Sequence, residues 1–347
     1  MQIIIYLGCT ILIVLGLGMF RNWKVKIIKQ NSFSILIACR NEQENLPELF
    51  KSLHKLNYPT DKFEIIIVDD ASSDRSPVMI EGFCSLKSYA HCFLLQEKSA
   101  EYKGKKAALK KAAENAKYDF LLFTDADCVP TPEWMNGYNQ FIADDTGMVI
   151  GIYSEKNASS FRRFCTQFSF ALFATTTNLG FPFTAAGGNM CVKKSVFEEV
   201  GGYEKIKSHT AGDDKLLLQL IQKTRHKIAY NHHNHVITRT SEQSSNNYKR
   251  KYGKARISAP TIKVFSFLIL LFYLSFPVYV IAFKAWNFLL LYFESLLFFW
   301  ICNLLKHNFK FRLTDLFYLL IYPYFVIIYS IWGMLSSWQW KEQEAKI

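Results

Sequence analysis

The sequence predicts an α/β domain with a mostly parallel central sheet, joined to apolar helices at both ends of the chain. Short β-branched runs alternate with helical patterns between residues 34 and 123, which is typical of a parallel sheet. Residues 1–20 form one apolar run, and residues 264–338 contain three more. The length of 347 residues leaves room for one full α/β domain beside these apolar segments.

The strands and helices of the domain follow from composition and spacing. Apolar, β-branched runs with the length of buried strands occur at residues 34–39, 63–68 and 120–123. Helical apolar spacing or alanine-rich composition occurs at residues 45–56, 107–116, 192–200 and 215–221. Ligands of parallel sheets bind at the carboxyl ends of the strands, so the residues that follow each strand are the first candidates for a site.

The N-terminal apolar run is long enough to cross a bilayer as a helix. No basic residue precedes it and no small-residue cleavage site closes it, which disfavours a secretory signal peptide. Basic residues follow it directly: Arg21, Lys24, Lys26 and Lys29. By the positive-inside rule these residues predict an external N-terminus and a cytoplasmic domain over residues 30–256.

The C-terminal membrane region is predicted to contain about three transmembrane helices: residues 264–283, 286–305 and 316–338. The linker before the last of them is basic, with Lys306, Lys310 and Arg312, and is predicted to be cytoplasmic. Pro277 and Pro323 interrupt two of the segments, so an interfacial or re-entrant helix is the alternative for one of them. The expected location is the inner (plasma) membrane, with several spans.

Charge and cysteine usage narrow the class of partner. A net charge of +12 would suggest nucleic acid for a soluble protein. Beside apolar segments it fits membrane orientation and attraction to anionic lipids and phosphorylated substrates, so no nucleic-acid partner is predicted. The eight cysteines include no CxxC pair, which indicates neither a zinc site nor a disulfide framework.

Carboxylates stand directly after two of the predicted strands. Asp69 and Asp70 follow the second strand, and Asp125 and Asp127 follow the third. Mg²⁺ and Mn²⁺ commonly bind through one or two carboxylates together with substrate phosphates. Asp125 and Asp127 are therefore the candidate metal ligands, with a solvated acidic turn as the alternative.

Lysines surround Gly104 just before the alanine-rich helix. Lys103, Lys105 and Lys106 bring positive charge to a helix start, a combination that suits a diphosphate. A solvated basic turn is the alternative for each lysine taken singly.

Two further segments have both a structural and a functional interpretation. Asp213 and Asp214 either cap the helix that follows them, or one of them draws a proton from an acceptor hydroxyl as a general base. Gly187 and Gly188, followed by Asn189, either let the backbone approach a ligand or form a packed turn. Spacing alone leaves these alternatives open.

Taken in order, these motifs resemble those of the inverting glycosyltransferases of family 2, which have the GT-A nucleotide-sugar-binding fold. The similarity extends over about residues 34–256. The matching segments are SILIACRNEQENL, FEIIIVDDASSD, FLLFTDADC, GGNMCVKKSVFEEVGGY and GDDKLLLQLI.

The resemblance implies a nucleotide-sugar donor, preferably a UDP-sugar, a Mg²⁺ or Mn²⁺ cofactor, and inversion at the anomeric carbon. It implies that Asp214 is the general base, with Asp213 beside it, and that Asp125 and Asp127 hold the metal and diphosphate. The residues implied to bind the donor are Ala38, Cys39, Arg40, Glu42, Asp70, Lys103, Lys106, Asp125 and Ala126. The residues implied on the acceptor side are Gly187, Gly188 and Asn189.

Two departures from the family pattern affect the expected product. Ala38 replaces the usual proline, a small change at a strand end. Residues 248–252 read YKRKY, where membrane-bound synthases of the family often have Q-x-x-R-W. This favours addition of one or few sugars to a lipid or lipid-linked envelope acceptor. A processive polysaccharide synthase is one alternative, and a catalytically silent nucleotide-sugar-binding membrane protein is another.

Overall fold

The computed structural model describes residues 1–21, 29–238, 248, 260–335, 338–340 and 343–345. Its contacts separate an α/β unit, residues 22–157 and 180–240, from a helical unit, residues 1–21, 158–179 and 241–347. Two predicted parts of the chain lie outside the described residues: the end of the predicted domain at residues 239–247, and residues 249–252 of the YKRKY segment.

The secondary structure follows the chain in this order within the described residues. The strands are β1 (Phe33–Cys39), β2 (Phe63–Asp70), β3 (Ala90–Leu95), β4 (Phe120–Asp125), β5 (Cys128–Pro130), β6 (Thr146–Glu155), β7 (Met190–Lys193), β8 (Lys227–Thr238), β9 (Trp338–Trp340) and β10 (Gln343–Ala345). The α-helices are α1 (Gln2–Gly18), α2 (Leu46–Leu53), α3 (Ser76–Ser85), α4 (Lys106–Glu114), α5 (Trp134–Asn139), α6 (Ser160–Leu179), α7 (Lys194–Glu199), α8 (Asp213–Ile221), α9 (Pro260–Ala282), α10 (Trp286–His307) and α11 (Leu313–Leu335). A 3₁₀ helix covers Glu204–Ile206.

The α/β unit contains a mixed sheet with the strand order β3-β2-β1-β4-β7-β6-β8-β5. The pairs β3–β2, β2–β1, β1–β4 and β6–β8 are parallel, whereas β7 is antiparallel to both of its neighbours and β5 is antiparallel to β8. The predicted α/β class with a mostly parallel central sheet is confirmed.

The central strands form where the sequence is continuously apolar. β1 and β2 are almost entirely buried, as expected for parallel strands that helices cover on both faces. The alanine-rich helix α4 buries Ala108 and Ala112 and packs on β1 and β2, and α2 buries Leu46 and Leu49 in the main core cluster. Burial on both faces explains why these strands were readable from composition alone.

The predicted helix at residues 192–200 is wrong at its start. Met190, Cys191 and Val192 form β7, which pairs with both β4 and β6, and a helix begins only at Lys194. Pairing on both edges outweighs the local helical spacing, because each buried backbone group gains a partner in the sheet.

The helical unit is built around aromatic contacts and close helix packing. The ring centroids of Phe164 on α6 and Trp300 on α10 lie 4.6 Å apart. Thr175 Oγ1 on α6 donates a hydrogen bond to the carbonyl of Leu15 on α1 (2.6 Å). Helix α6 therefore belongs with the helical unit although its sequence lies inside the predicted domain, residues 30–256. Nothing in its composition had separated it from that domain.

Two helical stretches of the described chain are long and apolar enough to cross a membrane by length and composition: Trp286–His307 and Leu313–Gly333. The segments Gln2–Gly18 and Leu270–Ala282 are apolar but shorter. Pro277 and Pro323 lie inside helices α9 and α11. The two longer helices give weak support for membrane association, and the N-terminal span and the C-terminal span at residues 264–283 stay predictions.

Candidate active site

The carboxyl ends of β2, β1 and β4 meet at one edge of the sheet. In the strand register Ala38 lies between Val68 of β2 and Asp125 of β4, and Cys39 pairs with Asp69. Only one strand, β1, separates the two acidic strand ends, and adjacent strands are about 4.8 Å apart. The predicted convergence of the acidic strand ends at one edge is therefore present.

The loops after β1 and β2 hold each other in place. Asn41 and Ala71 both have left-handed backbone conformations, with φ of 50° and 54°. The Asn41 N–H donates to Ser72 Oγ and the Ser73 N–H donates to Asn41 Oδ1, each at 2.9 Å. Asp69 accepts a 2.8 Å hydrogen bond from the Ser72 N–H. Asp69 thus has a structural role in this edge, distinct from that of Asp70.

Asp70 and Arg40 form the side of the edge that the resemblance assigns to the nucleotide. Arg40 donates a 3.1 Å hydrogen bond to the Asp70 carbonyl. Burial raises the pKa of the Asp70 carboxyl, the Arg40 charge opposes this rise, and the Asp69 charge adds to it. Asp70 is only 3% exposed. A nucleotide could therefore contact its carboxyl only if the carboxyl were uncovered or if a group of the nucleotide were inserted beside it.

The other predicted residues at the end of β1 differ in their accessibility. Cys39 is buried in the main core cluster, and its side chain is part of the packing. Ala38 is half-buried at the end of the strand. The Glu42 N–H donates to Ser76 Oγ at 2.9 Å, and the Glu42 carboxylate accepts a hydrogen bond from Asn45 Nδ2 at 2.5 Å. Glu42 therefore shapes the loop after β1.

The DxD segment offers a compact group of donor atoms. One ligand atom each from Asp125, Asp127 and Cys128 lies within 4.8 Å of the others. Ala126 is 3% exposed and packs in the core, so the side chains of its neighbours Asp125 and Asp127 point away from the core. Burial raises the pKa of the Cys128 thiol well above its usual range, and the charges of Asp127 and Asp125 add to this, so the thiol is neutral.

The paired glycines lie against both acidic segments. A Cβ at Gly188 would come within 3.0 Å of Asp125 Oδ2 and 3.1 Å of Cys128 Sγ. A Cβ at Gly187 would come within 3.3 Å of Asp213 Oδ2. The glycine turn therefore fills the space between the DxD segment and the Asp213–Asp214 pair, and it needs residues without side chains.

The second acidic pair occupies the first turn of α8. Gly212 precedes it with a φ of 84°, a conformation that favours glycine. Asp214 Oδ1 accepts a 2.7 Å hydrogen bond from the Lys215 N–H, and Asp214 Oδ2 accepts one of 3.3 Å from the Gly187 N–H. The N-cap position of α8 belongs to Gly212, and Asp214 lies in the first turn beside the Gly187 backbone.

Lys105 connects the two acidic segments. Its Nζ bonds the carboxylate of Asp125 and lies 3.3 Å from Asp213 Oδ2. Burial opposes its charge, but the carboxylates of Asp125 and Asp213 raise the pKa of Lys105 well above its usual range. The ammonium thus lies between the carboxylates of Asp125 and Asp213, and the DxD segment and the Asp213–Asp214 pair are adjacent in the fold.

The two lysines predicted to bind the donor lie differently. Lys106 is 1% exposed, and its Nζ bonds the carbonyl of His209 and contacts that of Lys103 at 3.4 Å. Lys103 is exposed, and its N–H donates to the Lys207 carbonyl (2.8 Å). Lys106 thus holds two loops together, and the lysine that reaches the carboxylates is Lys105.

Asn189 is placed in the interior, contrary to its expected position on the acceptor side. Its Nδ2 donates to the Ile152 carbonyl at 2.5 Å, and its Oδ1 accepts hydrogen bonds from Trp134 Nε1 (2.8 Å) and the Tyr138 hydroxyl (2.7 Å). The side chain is fully buried. A buried carboxamide must be bonded in this way, so Asn189 supports the glycine turn from behind.

Sequence reasoning missed Tyr203, and it named Lys105 beside Gly104 without placing it among the donor-binding residues. Lys105 stands between two lysines that were chosen, and only the direction of its side chain separates it from them. Tyr203 is buried, and the charges of Asp213, Lys105, Asp214 and Asp125 act on its phenol. A tyrosine after two glycines carries no signal of its own, because such a residue usually serves only packing.

The residues of the DxD segment suit a divalent cation. Asp125 and Asp127 supply the hard oxygen ligands that Mg²⁺ and Mn²⁺ prefer. The position of the Lys105 ammonium, between Asp125 and Asp213, shows that these carboxylates stabilise positive charge here. Cys128 is a softer ligand, and its buried thiol is neutral.

Comparisons with known proteins identify the family. The model described as Glycosyl transferase family 2 matches residues 34–201, and that described as Glycosyl transferase family group 2 matches residues 120–339, more than half of the chain. The probable glycosyltransferase YdaM of Bacillus subtilis is 26% identical over 199 residues, which cover 52% of this chain and 45% of that protein. The β-monoglucosyldiacylglycerol synthase of Trichormus variabilis is 31% identical over 94 residues, which cover 27% of this chain and 20% of that protein.

A solved structure supports the same fold. The mannosyltransferase PcManGT from Pyrobaculum calidifontis, in complex with GDP-Man and Mn²⁺, aligns with a TM-score of 0.60 at 15% identity, over 96% of this chain and 93% of that one. The chain spans less than half the length of the curated relatives YdaM and β-monoglucosyldiacylglycerol synthase. With its GT-A-type sheet and its family matches, the chain belongs to the family 2 glycosyltransferases.

Proposed function

We propose that this glycosyltransferase moves a sugar from a nucleotide-sugar donor, preferably a UDP-sugar, to a lipid or lipid-linked envelope acceptor. The proposed reaction is a metal-dependent single displacement that inverts the anomeric carbon. One observation carries the proposal: the Lys105 ammonium contacts both Asp125 and Asp213, which unites the candidate donor and acceptor carboxylates. Gly187 and Gly188 lie against the same carboxylates and place no side chain between them.

The donor would lie along the edge formed by β2, β1 and β4. Asp70 and Arg40 are suited to the nucleotide end, because they offer an acceptor and a cation at the end of adjacent strands. Lys105 and the start of α4 are suited to the diphosphate, since an ammonium and free helix N–H groups both stabilise phosphate charge.

Asp125 and Asp127 would hold Mg²⁺ or Mn²⁺ at the diphosphate. A bound divalent cation supplies Lewis-acid stabilisation of the negative charge on a departing diphosphate. The protein residues position the donor: Lys105 neutralises charge, and the glycine turn excludes side chains from the space next to Asp125. Orientation of the reacting groups accounts for a large share of such rate enhancements.

Asp214 would take the proton of the acceptor hydroxyl. Its two oxygens accept hydrogen bonds from the N–H groups of Lys215 and Gly187, which fix the carboxylate in one orientation. A general base must be within hydrogen-bonding reach of the proton that it removes, and a fixed carboxylate beside the glycine turn meets this need. Inversion requires that the acceptor attack from the side opposite to the leaving diphosphate. The proposed base, Asp214, therefore has a different role from the proposed metal ligands.

A membrane acceptor is supported by two observations. The helical unit contains Trp286–His307 and Leu313–Gly333, both apolar and long enough to span a bilayer. The relative from Trichormus variabilis is named for a glycosylated diacylglycerol. We therefore propose a multi-pass protein of the inner membrane whose α/β unit is cytoplasmic, with an N-terminal span and about three C-terminal spans.

The proposal is tested with the full-length protein in purified membranes. UDP-, GDP- and dTDP-sugars are screened by calorimetry with MnCl₂, with MgCl₂ and with EDTA, and the bound donor is then offered to membrane lipid extracts. We expect metal-dependent binding of a UDP-sugar and a lipid product with one or few sugars. A polymer ladder on the chromatogram would instead indicate a processive synthase, and binding without any transfer would indicate a silent binding protein.

A further inference from the structure

The chain segment that carries Lys105 is bonded to a part of the α/β unit that lies far away in sequence. Residues 101–105 lead into α4, and residues 204–207 include the 3₁₀ helix between α7 and α8. Side chains and one backbone N–H join the two segments, and Tyr102 and Glu204, at the centre of these contacts, are 102 residues apart in the sequence. The contacts between the segments therefore help to decide where the chain lies just before Lys105.

Tyr102 and Glu204 are the central pair. The Tyr102 hydroxyl donates a hydrogen bond to Glu204 Oε1. Lys110 Nζ lies 2.8 Å from the Tyr102 oxygen and 3.2 Å from Glu204 Oε1, so it bonds both members of the pair. The ammonium groups of Lys110 and Lys207 also lie over the Tyr102 ring, 4.7 Å and 5.8 Å from its centroid. Tyr102 is only 7% exposed and is thus held on several sides.

The second oxygen of Glu204 extends the network. Glu204 Oε2 lies 3.3 Å from Lys207 Nζ, and the same ammonium bonds the Glu101 carboxylate. The Lys103 N–H donates to the Lys207 carbonyl at 2.8 Å. A single exposed ion pair contributes little, whereas several charges that share partners form a network with a defined geometry. Glu204 is the carboxylate that these partners share.

Residues 204–207 are anchored in the fold. Tyr203, directly before them, is buried, and its ring packs edge-on against Phe197 of α7 with the centroids 5.3 Å apart. Ile206 is buried as well. The network therefore ties the segment before Lys105 to a fixed part of the α/β unit.

Lys105 depends on this segment because of the residue between them. Gly104 has a φ of 68°, a left-handed conformation that favours glycine and leaves the chain direction to its neighbours. On one side those neighbours are the bonded residues 101–103, and on the other side they are α4. The Lys105 ammonium that follows bonds Asp125 and lies 3.3 Å from Asp213 Oδ2.

We propose that Glu204 is a positioning residue for Lys105. Through the Tyr102 hydroxyl and the Lys207 ammonium it holds residues 101–103, and thereby keeps the Lys105 ammonium beside the DxD segment. The described contacts of Glu204 all belong to this network, so it acts through Lys105 and not on the donor itself. The inference rests on the proposed function, in which Lys105 stabilises the diphosphate of the donor.

Glu204→Ala in the full-length protein tests this role. The Glu204 side chain is 47% exposed, so its removal should leave the fold intact. Calorimetry measures the Kd for UDP in MnCl₂, or for GDP if the wild-type protein binds no UDP. We expect a Kd about tenfold higher than that of the wild type, because the charge-assisted hydrogen bond from Lys105 to the diphosphate is weakened when the ammonium is misplaced.

The Lys105→Met background decides whether the effect passes through Lys105. There Glu204→Ala should raise the Kd by no more than about twofold, since the ammonium that it positions is absent and coupled residues are not additive. Equal fold-changes in the two backgrounds would mean that Glu204 supports the fold in general, and would overturn the inference.

Glu114→Ala is the matched control. Glu114 is an exposed carboxylate that pairs with the same Lys110, at 3.7 Å, but this ion pair lies within α4 and does not join the two segments. The variant should therefore keep the wild-type Kd. A Kd raised as much as that of Glu204→Ala would show that any loss of charge beside Lys110 has this effect, and would also overturn the inference.

Hydrogen–deuterium exchange gives a second measurement that needs no donor. In Glu204→Ala the amides of residues 99–105 should exchange faster than in the wild type, because local opening of this segment becomes easier. Glu114→Ala should leave that exchange unchanged. Wild-type exchange of this segment in Glu204→Ala would mean that the segment is held without Glu204, and the inference would be wrong.

The failure of the proposed function is recognised from the wild-type titration alone. If the wild-type protein binds neither UDP nor GDP in MnCl₂, the proposed function is wrong and the inference falls with it. If the wild type binds the nucleotide and Glu204→Ala binds it equally well, only the inference is overturned.

Discussion

Lys105 and Asp213 form an ion pair in which Nζ and Oδ2 are 3.3 Å apart, and the same ammonium bonds Asp125. These residues come from three distant parts of the chain: the start of α4, the start of α8 and the end of β4. One cation thus neutralises carboxylates that the proposed reaction uses for different purposes. Its removal should therefore affect both charge balance and donor binding.

Lys105→Met is expected to lower kcat/KM for the donor by about tenfold to a hundredfold, since charge-assisted hydrogen bonds to a diphosphate are among the strongest in proteins. The fold should persist, because Met keeps the apolar stem. Steady-state kinetics with the preferred UDP-sugar and circular dichroism check both points.

Lys106→Met is the neighbouring comparison. Lys106 is buried and its Nζ bonds the carbonyl of His209, so the variant should lose stability by about 1–3 kcal/mol. Its kcat/KM per folded molecule should stay near wild type. If Lys106→Met loses donor affinity and Lys105→Met does not, the assignment of the two lysines made from the structure is reversed.

Asp127→Ala and Asp214→Asn separate the two proposed carboxylate roles. Asp127→Ala should lose metal-dependent donor binding, because one of two hard ligands is gone. Asp214→Asn should retain binding but lose transfer by about a hundredfold to ten-thousandfold, the usual contribution of a general base. Calorimetry with MnCl₂ and donor measures the first effect, and turnover measures the second. Normal turnover by Asp214→Asn would show that another residue is the base.

The parts of the fold that could be predicted are those in which local composition and tertiary packing agree. β1 and β2 are apolar because both faces are covered, and their ends carry the acidic residues that indicated a site. β7 and α6 could not be predicted, because their character comes from partners distant in sequence: β4 and β6 for β7, and α1 and α10 for α6.

The same distinction applies within the site. Asp125 and Asp127 were identified because their position after a strand is a local property. The choice between Lys105 and Lys106 depends on the direction of each side chain at the start of α4. Asn189 was misplaced because its bonds to Trp134 and Tyr138 cross more than 50 residues of chain. Such contacts have no counterpart in local spacing.

Gly188→Ala should weaken metal and donor binding by crowding. The added Cβ would lie 3.0 Å from Asp125 Oδ2 and 3.1 Å from Cys128 Sγ, closer than nearly all Cβ contacts, so the Asp125 carboxylate must move. A tenfold or larger rise in the Kd for Mn²⁺ is expected, because misplaced ligands bind octahedral cations poorly. Calorimetric titration with MnCl₂ in the presence of UDP measures this change.

Gly82→Ala is the control for that substitution. Gly82 lies in α3, where nothing is within 4 Å of an added Cβ, and alanine favours the helix. Its Kd for Mn²⁺ should equal that of the wild type, with a slightly higher Tm. An unchanged Kd in Gly188→Ala would show that Asp125 does not bind the metal in its present position.

Asn189→Ala should destabilise the α/β unit without a specific effect on the acceptor. It leaves Trp134 Nε1, the Tyr138 hydroxyl and the Ile152 carbonyl without their shared partner in a fully buried place. Each such loss costs about 1–3 kcal/mol, so the total should be about 3 kcal/mol or more. Denaturant unfolding of the variant measures this. A variant of wild-type stability with a raised acceptor KM would restore the acceptor-side role that the sequence suggested.

Asp70 should give both stability and donor binding a dependence on pH, with opposite signs. Burial raises its pKa in the folded protein above the ordinary 3.8, Arg40 opposes the rise, and Asp69 adds to it. The folded state therefore holds the proton more tightly than the unfolded chain, and stability from this group is lost as pH rises from 3.8 through the raised pKa. An ionised Asp70 that accepts a hydrogen bond from the nucleotide base would instead lose affinity as pH falls through the raised pKa. Asp70→Asn should abolish both pH dependences, and the control Asp61→Asn should abolish neither. The Kd for UDP is measured by calorimetry across the acidic pH range. Parallel pH profiles in wild type and Asp70→Asn would exclude Asp70 from nucleotide binding.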